Sequence, residues 1–378
     1  MKTTPPASVK ELNKRAITAY LYSKGPATKQ MLERELNLSL PTITQNLRTL
    51  EVEGLIRKGE QLESTGGRKA QTFAFVCRAK IAIGVTMRAN GLTLCAVDLG
   101  GNVISRKFKL LPYHNTDIYY QQMGVIINAF AAGVERNDDN VLGVAFSIQG
   151  IVSADGQTIT FGNIMGNTGL RLDVIAQNVK FPCIMIHDSD AAAMAELWFD
   201  HSLTDAVCVY LGMRPGGAVI VDGQLYQGPN LCNGTIEHMT LVPDGGECYC
   251  GQRGCMDVYC SPEALTEDGE SLSGFFSVLE QGEQEHRQRF SGWLGNVAQA
   301  IRNIRSMLAG DIIIGGEAAH YLDDDDVTTL KRLVEERSAF HTDHFTLRKS
   351  LCLDNQNEIG AALRFVKTFI DEICGHAA

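Results

Sequence analysis

Apolar residues recur at helical spacing from Val9 to Tyr22 (Val9, Leu12, Ala16, Ile17, Ala19, Tyr20 and Leu21), and Gly25-Pro26 ends the run. Thr28 is placed to cap a second short helix through Leu36, and Asn37-Leu38-Ser39 makes a turn. Ser39 is suited to cap a third helix, because its hydroxyl can accept from a first-turn N–H. Pro41 is tolerated there because its missing N–H has no helical partner to lose. That helix, Leu40 to about Glu53, buries Ile43, Leu47 and Leu50 and shows Thr42, Thr44, Gln45, Asn46 and Arg48 on its other face. Gly54–Lys58 and Gln71–Val76 then read as the strands of a hairpin, with Ser64-Thr65-Gly66-Gly67-Arg68-Lys69 between them.

Beyond residue 80 the pattern changes to short, dense apolar runs. Ile81–Thr86 and Thr93–Asp98 are predicted strands around a turn at Asn90-Gly91, with a third strand after Gly100-Gly101. A helix from Asp117 to Gly133 and a strand from Val141 to Phe146 complete an α/β half. A similar run starts at Ala206–Leu211, turns at Gly216-Gly217, continues through Ala218–Val221 and turns again at Asp222-Gly223. Two such halves predict a cleft between lobes, where ligands bind. No apolar run is long enough for a membrane span, and Met1–Arg15 has no apolar stretch of the signal-peptide kind.

A chain of 378 residues is expected to form more than one domain. Eleven cysteines, an odd number spread along the chain, favour a reducing cytoplasm over a disulfide framework. Charge is divided unevenly. Residues 1–80 hold 14 Lys+Arg and 7 Asp+Glu, net +7, which leaves −17 for the remainder of a chain whose total is −10. A basic head on an acidic body suits binding to DNA phosphates, while the body resists nonspecific adhesion.

Two short helices joined by a tight turn are helix-turn-helix geometry, and the second helix would enter the major groove. Candidate DNA contacts are Ser39, Thr42, Thr44, Gln45 and Arg48 on that helix and Gly67, Arg68 and Lys69 on the wing. Glycines let a backbone lie close to DNA, and an arginine beside them can enter a narrow minor groove. The sharpest chemical signal is Cys248-Tyr-Cys250-Gly-Gln-Arg-Gly-Cys255, with His238 ten residues before it. Three thiolates and an imidazole fill a tetrahedral Zn2+ site and leave no open position, so the metal would be structural. Cys232 and Cys260 fall outside this spacing and read as packed residues. His114, His201 and His341 show no ligand spacing, and Asp323–Asp326 reads as a solvated loop.

At these motifs the sequence resembles the ROK family of repressors, open reading frames and kinases. Gly143-Val-Ala-Phe-Ser-Ile-Gln-Gly150 resembles GxxxSxPG, and Phe161-Gly-Asn-Ile-Met-Gly166 resembles a sugar-contacting Asn-Leu/Ile-x-Gly turn. His187-Asp-Ser-Asp-Ala-Ala-Ala-Met-Ala-Glu196 resembles NDxNAAAxAE. Gly234–His238 resembles GExGH, Cys248–Asp257 resembles CxCGxxGCxE, and Ile312–Gly316 matches a late strand and turn. The resemblance implies an N-terminal winged helix-turn-helix over residues 1–78. It also implies a two-lobed α/β, actin-like or ribonuclease-H-like sugar-kinase fold over 79–378, with a zinc loop at 238–255. It places Asn163, His187, Asp188, Thr235, His238 and Asp257 in a sugar pocket, with one nitrogen of His238 on zinc and the other toward a sugar hydroxyl. Asp188 matches the general base of the family's kinases.

The departures from the family pattern bear on chemistry. Thr86-Met-Arg-Ala-Asn90 stands where kinases have DxGGT, and Met213-Arg-Pro215 stands where they have a phosphate-binding GTG. Side chains replace the glycines, and Pro215 offers no N–H. Phosphoryl transfer depends on positioning and charge stabilisation, so loss of both cradles implies a domain that is not an enzyme. The expected protein is a cytoplasmic, homodimeric or homotetrameric regulator that binds double-stranded operator DNA and responds to a sugar or sugar phosphate. Two alternatives stand: an active ROK sugar kinase, and a constitutive regulator controlled by a protein partner.

Overall fold

The computed structural model describes residues 9–62, 70–228, 234–339 and 344–375. Gly67, Arg68 and Lys69 of the expected wing lie outside the described residues, as do Cys232 and His341.

The N-terminal unit follows the apolar pattern closely. Helices α1 (Val9–Lys24), α2 (Lys29–Leu36) and α3 (Leu40–Val52) pack on strands β1 (Ala27–Thr28), β2 (Ile56–Leu62) and β3 (Ala70–Phe75). The strands form an antiparallel sheet in the order β1-β3-β2. The Thr28 hydroxyl accepts the Met31 N–H to start α2, and Asn37, in the left-handed region at φ 52°, ends it. The Ser39 hydroxyl accepts the Thr42 N–H at 3.4 Å and so begins α3. Ile17, Leu21, Leu32, Ile43, Leu47 and Leu50 make the core. Asn46 departs from the expected pattern. It is buried beside Leu47 and its side-chain amide donates to the Thr42 carbonyl, so it belongs to the core-facing side of α3.

The first lobe contains β4 (Ile81–Arg88), β5 (Gly91–Asp98), β6 (Val103–Leu110), α4 (Asp117–Val134) and β7 (Val141–Ile148). It continues through β8 (Ile151–Val152), β9 (Ile159–Phe161), α5 (Leu172–Ala176), β10 (Cys183–His187) and α6 (Asp188–Phe199). The second lobe has β11 (Ala206–Tyr210), β12 (Gly216–Val221), β13 (Gln224–Leu225), α7 (Met256–Cys260), α8 (Leu272–Glu280) and α9 (Gln284–Arg305). It ends with β14 (Asp311–Gly315), α10 (Asp324–Arg337) and β15 (Leu347–Lys349), and the C-terminal α11 (Gln356–Cys374) packs back on β4, β5 and β7 of the first lobe. Sheet orders β10-β7-β4-β5-β6 and β13-β12-β11-β14-β15 show the duplication. In each, a three-strand antiparallel meander extends through its first strand into two parallel strands.

Two local expectations are corrected. Gly216 and Gly217 are not a turn but the start of β12, paired with Tyr210 and Val209. Gly217 is needed there because the carbonyl of Gly234 and the side chain of Ile236 press on it. The acidic run is not a loop either. Asp323 caps α10 in a reciprocal box with Asp326, and the remaining carboxylates sit in the first turn, where the helix dipole favours them.

Helices α6 and α11 pack against each other between the sheets. The run Ala191-Ala192-Ala193 of α6 and Gly360-Ala361-Ala362 of α11 allow the close approach, and a Cβ on Gly360 would collide with the Ala191 carbonyl. The C-terminal end of α11 reaches the N-terminal unit, where Phe369 and Ile373 pack against its core. Tyr22 of α1 completes that contact, its ring edge-on to Phe75 and its hydroxyl donating to the Leu99 carbonyl at 3.0 Å.

Candidate functional site

A cleft of about 740 Å³ runs between the two lobes. The β9 turn brings Asn163 to it, the β10–α6 junction brings His187 and Asp188, and the short turn Ile236–His238 brings Thr235 and His238. Asp188 opens α6, its Oδ1 accepting the Ser189 N–H at 2.8 Å and lying 3.3 Å from His187 Nε2. His187 Nδ1 is buried with no hydrogen-bond partner. Five of the six residues expected in a sugar pocket therefore line one space.

The sixth does not. Asp257 lies beneath the cleft at 3% exposure, with its carboxylate 3.4 Å from Arg214 Nη1. It is one methylene shorter than the Glu of the family motif, and Arg214 covers it. Arg214 in turn lies over the Tyr249 ring at 5.2 Å. His238 also differs from expectation. Its Nδ1 faces the cysteines, but its Nε2 meets the Tyr249 hydroxyl at 3.2 Å, where a sugar hydroxyl was expected.

The cysteines converge as their spacing implies. The ligand atoms of His238, Cys248, Cys250 and Cys255 all lie within 4.8 Å of one another. The Cys250 and Cys255 sulfurs are 3.8 Å apart, and Cys248 Sγ is 3.7 Å from His238 Nδ1. Tetrahedral Zn–S bonds of about 2.3 Å would separate two sulfurs by roughly 3.8 Å, so the donor set fits zinc. Gly254, at φ 77°, is required at this loop because the Val242 carbonyl fills the place of a Cβ. Burial lowers the pKa of His238 and favours the neutral imidazole that a metal needs.

Glu237 was not anticipated. It lines the cleft, it is only 7% exposed, and its Oε2 is buried without a hydrogen-bond partner. Burial pushes its carboxyl up to about 8; its own backbone N–H opposes this, and Asp188 and Asp257 add to it. The signal was legible, since Glu237 stands where GExGH has its second Gly, two residues after the missing Glu.

The other end of the cleft is filled with charge. Arg88, at the end of β4, lies 3.7 Å from Glu317 and 4.0 Å from Glu358. Glu317 comes from the second lobe and Glu358 from the first turn of α11. Both Glu358 oxygens are buried and lack hydrogen bonds. Met213, Arg214 and Pro215 form the facing wall. On α3, Thr44, Gln45 and Arg48 are exposed, whereas Ser39 and Thr42 bind each other's hydroxyls at 2.9 Å. Among the described residues no helix is long and apolar enough to cross a membrane.

Residues 82–367 match the family model described as "ROK family". The DNA-binding transcriptional dual regulator NagC of Escherichia coli (strain K12) is 26% identical over 279 residues, 73% of this chain and 67% of that protein. The xylose repressor of Bacillus subtilis (strain 168) is 22% identical over 259 residues, 68% and 67% of the two chains. The crystal structure of a ROK family transcriptional regulator, homologous to the E. coli MLC protein, superposes with a TM-score of 0.75 at 20% identity, covering 97% of this chain and 98% of that one. A ROK family glucokinase from Streptomyces griseus, solved with glucose and AMPPNP, gives a TM-score of 0.66 at 22% identity over 75% of this chain and 98% of that one. With the family model spanning most of its length and both lobes sharing the fold of these structures, the chain belongs to the ROK family.

Proposed function

We propose that this protein is a sugar-responsive transcriptional repressor of carbohydrate genes. Residues 1–78 form its winged helix-turn-helix head and 79–378 its sensor. The observation that carries this is the pairing of an exposed polar face on α3 with a ligand-sized cleft at the far end of one helix. Thr44, Gln45 and Arg48 are free to meet base edges and phosphates. Ser39 and Thr42 hold the helix start, while Gly67, Arg68 and Lys69 serve the wing. The names of the relatives support the same reading, two being a DNA-binding regulator and a xylose repressor.

The domain acts as a sensor rather than an enzyme. Arg88 and its two carboxylates stand where a kinase would cradle phosphates, and Pro215 withholds an amide from the opposite wall. Asn163, His187, Asp188, Thr235 and His238 hold a sugar or sugar phosphate, with Asp257 supporting the floor through Arg214. His238, Cys248, Cys250 and Cys255 hold a structural Zn2+ that fixes the loop beneath the ligand.

Helix α11 is the physical connection. Gln356 and Glu358 line the cleft at its N-terminal end, and Phe369 and Ile373 touch the head at the other. Its 19 residues span about 28 Å. Ligand that prefers one setting of the lobes would move this helix and the head with it. A homodimer or homotetramer in the cytoplasm presents two or more heads to operator half-sites. Fluorescence anisotropy with DNA from upstream of its own gene, titrated with sugars and sugar phosphates, tests this. Salt-sensitive binding released by one ligand is expected; no binding at modest salt would overturn it, and ATP consumption with a hexose would establish a kinase instead.

A further inference from the structure

Glu237 has no evident structural task. A carboxylate oxygen buried without a donor is costly, and folded proteins rarely keep one unless a water or ligand completes it. Its Oε1 is 3.8 Å from His238 Nε2, too long for a hydrogen bond, and that nitrogen is already engaged by the Tyr249 hydroxyl. The carboxylate lines the cleft beside Thr235 and His238. Asp188 lines the same cleft, so an anion brought here would also meet that carboxylate. Glu237 lies inside the turn Ile236–His238, whereas Thr235 precedes it as its N-cap, so a carboxylate at 237 is presented from a different place in the backbone than one at 235.

We propose that Glu237 is the specificity-determining residue of the sensor cleft: its Oε2 accepts a hydrogen bond from one particular hydroxyl of a sugar that is uncharged at that position. This rests on the sugar-sensor reading above. The relocated carboxylate replaces the one lost at Thr235, and it reads a different hydroxyl. A sugar lacking that hydroxyl, or carrying a carboxylate or phosphate there, leaves Glu237 unpartnered or repelled.

The test is calorimetry of the full chain with D-glucose, D-mannose, D-galactose, D-xylose and N-acetyl-D-glucosamine. The tightest binder is then compared with its monodeoxy analogues, for wild type, Glu237→Gln and Glu237→Gly. One deoxy analogue is expected to lose about 10–100-fold on wild type, the range for leaving a buried polar atom unsatisfied. On Glu237→Gly that same loss should shrink to less than about threefold, because the two changes remove one interaction, whereas Glu237→Gln keeps an amide oxygen that can accept and should fall between the two. Zinc stoichiometry and DNA affinity, measured alongside, should stay at wild-type values. Should the Gln variant fail to hold metal, the Gly variant carries the comparison, since the family motif has Gly there. If losses on wild type and variants multiply independently at every hydroxyl, or no deoxy analogue loses more than about threefold on wild type, Glu237 does not read the ligand. Wild type binding none of the five sugars would overturn the sensor reading together with this one; binding without the non-additivity overturns this one alone.

Discussion

At the residue scale, the most deeply buried charge in α6 has its own cation. Glu196 is fully buried and accepts from Arg348 Nη1 at 3.1 Å and from the Ser350 hydroxyl, while Arg348 Nη2 reaches Asp200 at 2.9 Å. Arg348→Ala would strand Glu196 and should cost about 3 kcal/mol in urea unfolding, near the lower bound for breaking such a pair because Arg348 is partly exposed. A cost below about 1 kcal/mol would show that water replaces the arginine. His286 is a different case. Its two nitrogens lie 2.7 Å from Glu283 and 2.8 Å from Glu270, which raises its pKa above 6.5. A raised imidazole contributes stability that is fully present below pH 6.5 and lost as pH rises through the higher folded value. Glu283, lowered to about 2 mainly by the His286 N–H, holds its full contribution above pH 4.5 and loses it as pH falls from there through about 2. The thermal midpoint should therefore fall as pH rises above 6.5, and His286→Gln should flatten that part of the profile.

At the element scale, α3 is the component proposed to meet DNA, and its start depends on one hydroxyl. Ser39→Ala removes the cap and should cost about 1 kcal/mol of stability. Arg48→Ala should weaken DNA binding and, where Arg48 meets a phosphate, lower the slope of log K against log salt by about 1. Gln45→Ala should instead relax discrimination at one base pair by about 1–3 kcal/mol, read as a change in the ratio of affinities for two operators. Equal losses on every sequence would make Gln45 a backbone contact. The caps, turns and apolar stripes of this unit were legible because each is a local arrangement. Asn46 faces the core because its position sits between the apolar stripe and the polar face, and there its amide N–H is satisfied by the Thr42 carbonyl.

At the scale of the whole molecule, cleft, metal loop and head are joined by packing. Cys250→Ala should lose zinc and, through a disordered loop, DNA affinity; unchanged affinity in metal-free protein would make the loop independent of the head. Phe369→Ala trims the contact of α11 with the head. It should leave sugar affinity intact and reduce the effect of sugar on DNA affinity, a coupling ordinarily of about 5–150-fold. Coupling that is unchanged would exclude α11 as the connection.

The sequence alone determined much of what is local: the caps of α2 and α3, the strands and turn of the first hairpin, the metal-ligand spacing, the charge division and the family motifs. These follow from backbone geometry and from residues near one another in the chain. Tertiary structure decided what depends on distant neighbours. It set Asp257 beneath Arg214 and turned His238 Nε2 to Tyr249. It placed Arg88 between carboxylates of the second lobe and α11, and ran α11 from the cleft to the head. Hydrogen bonds and charges act over a few ångströms of space, and only the folded chain brings residues hundreds of positions apart within that reach.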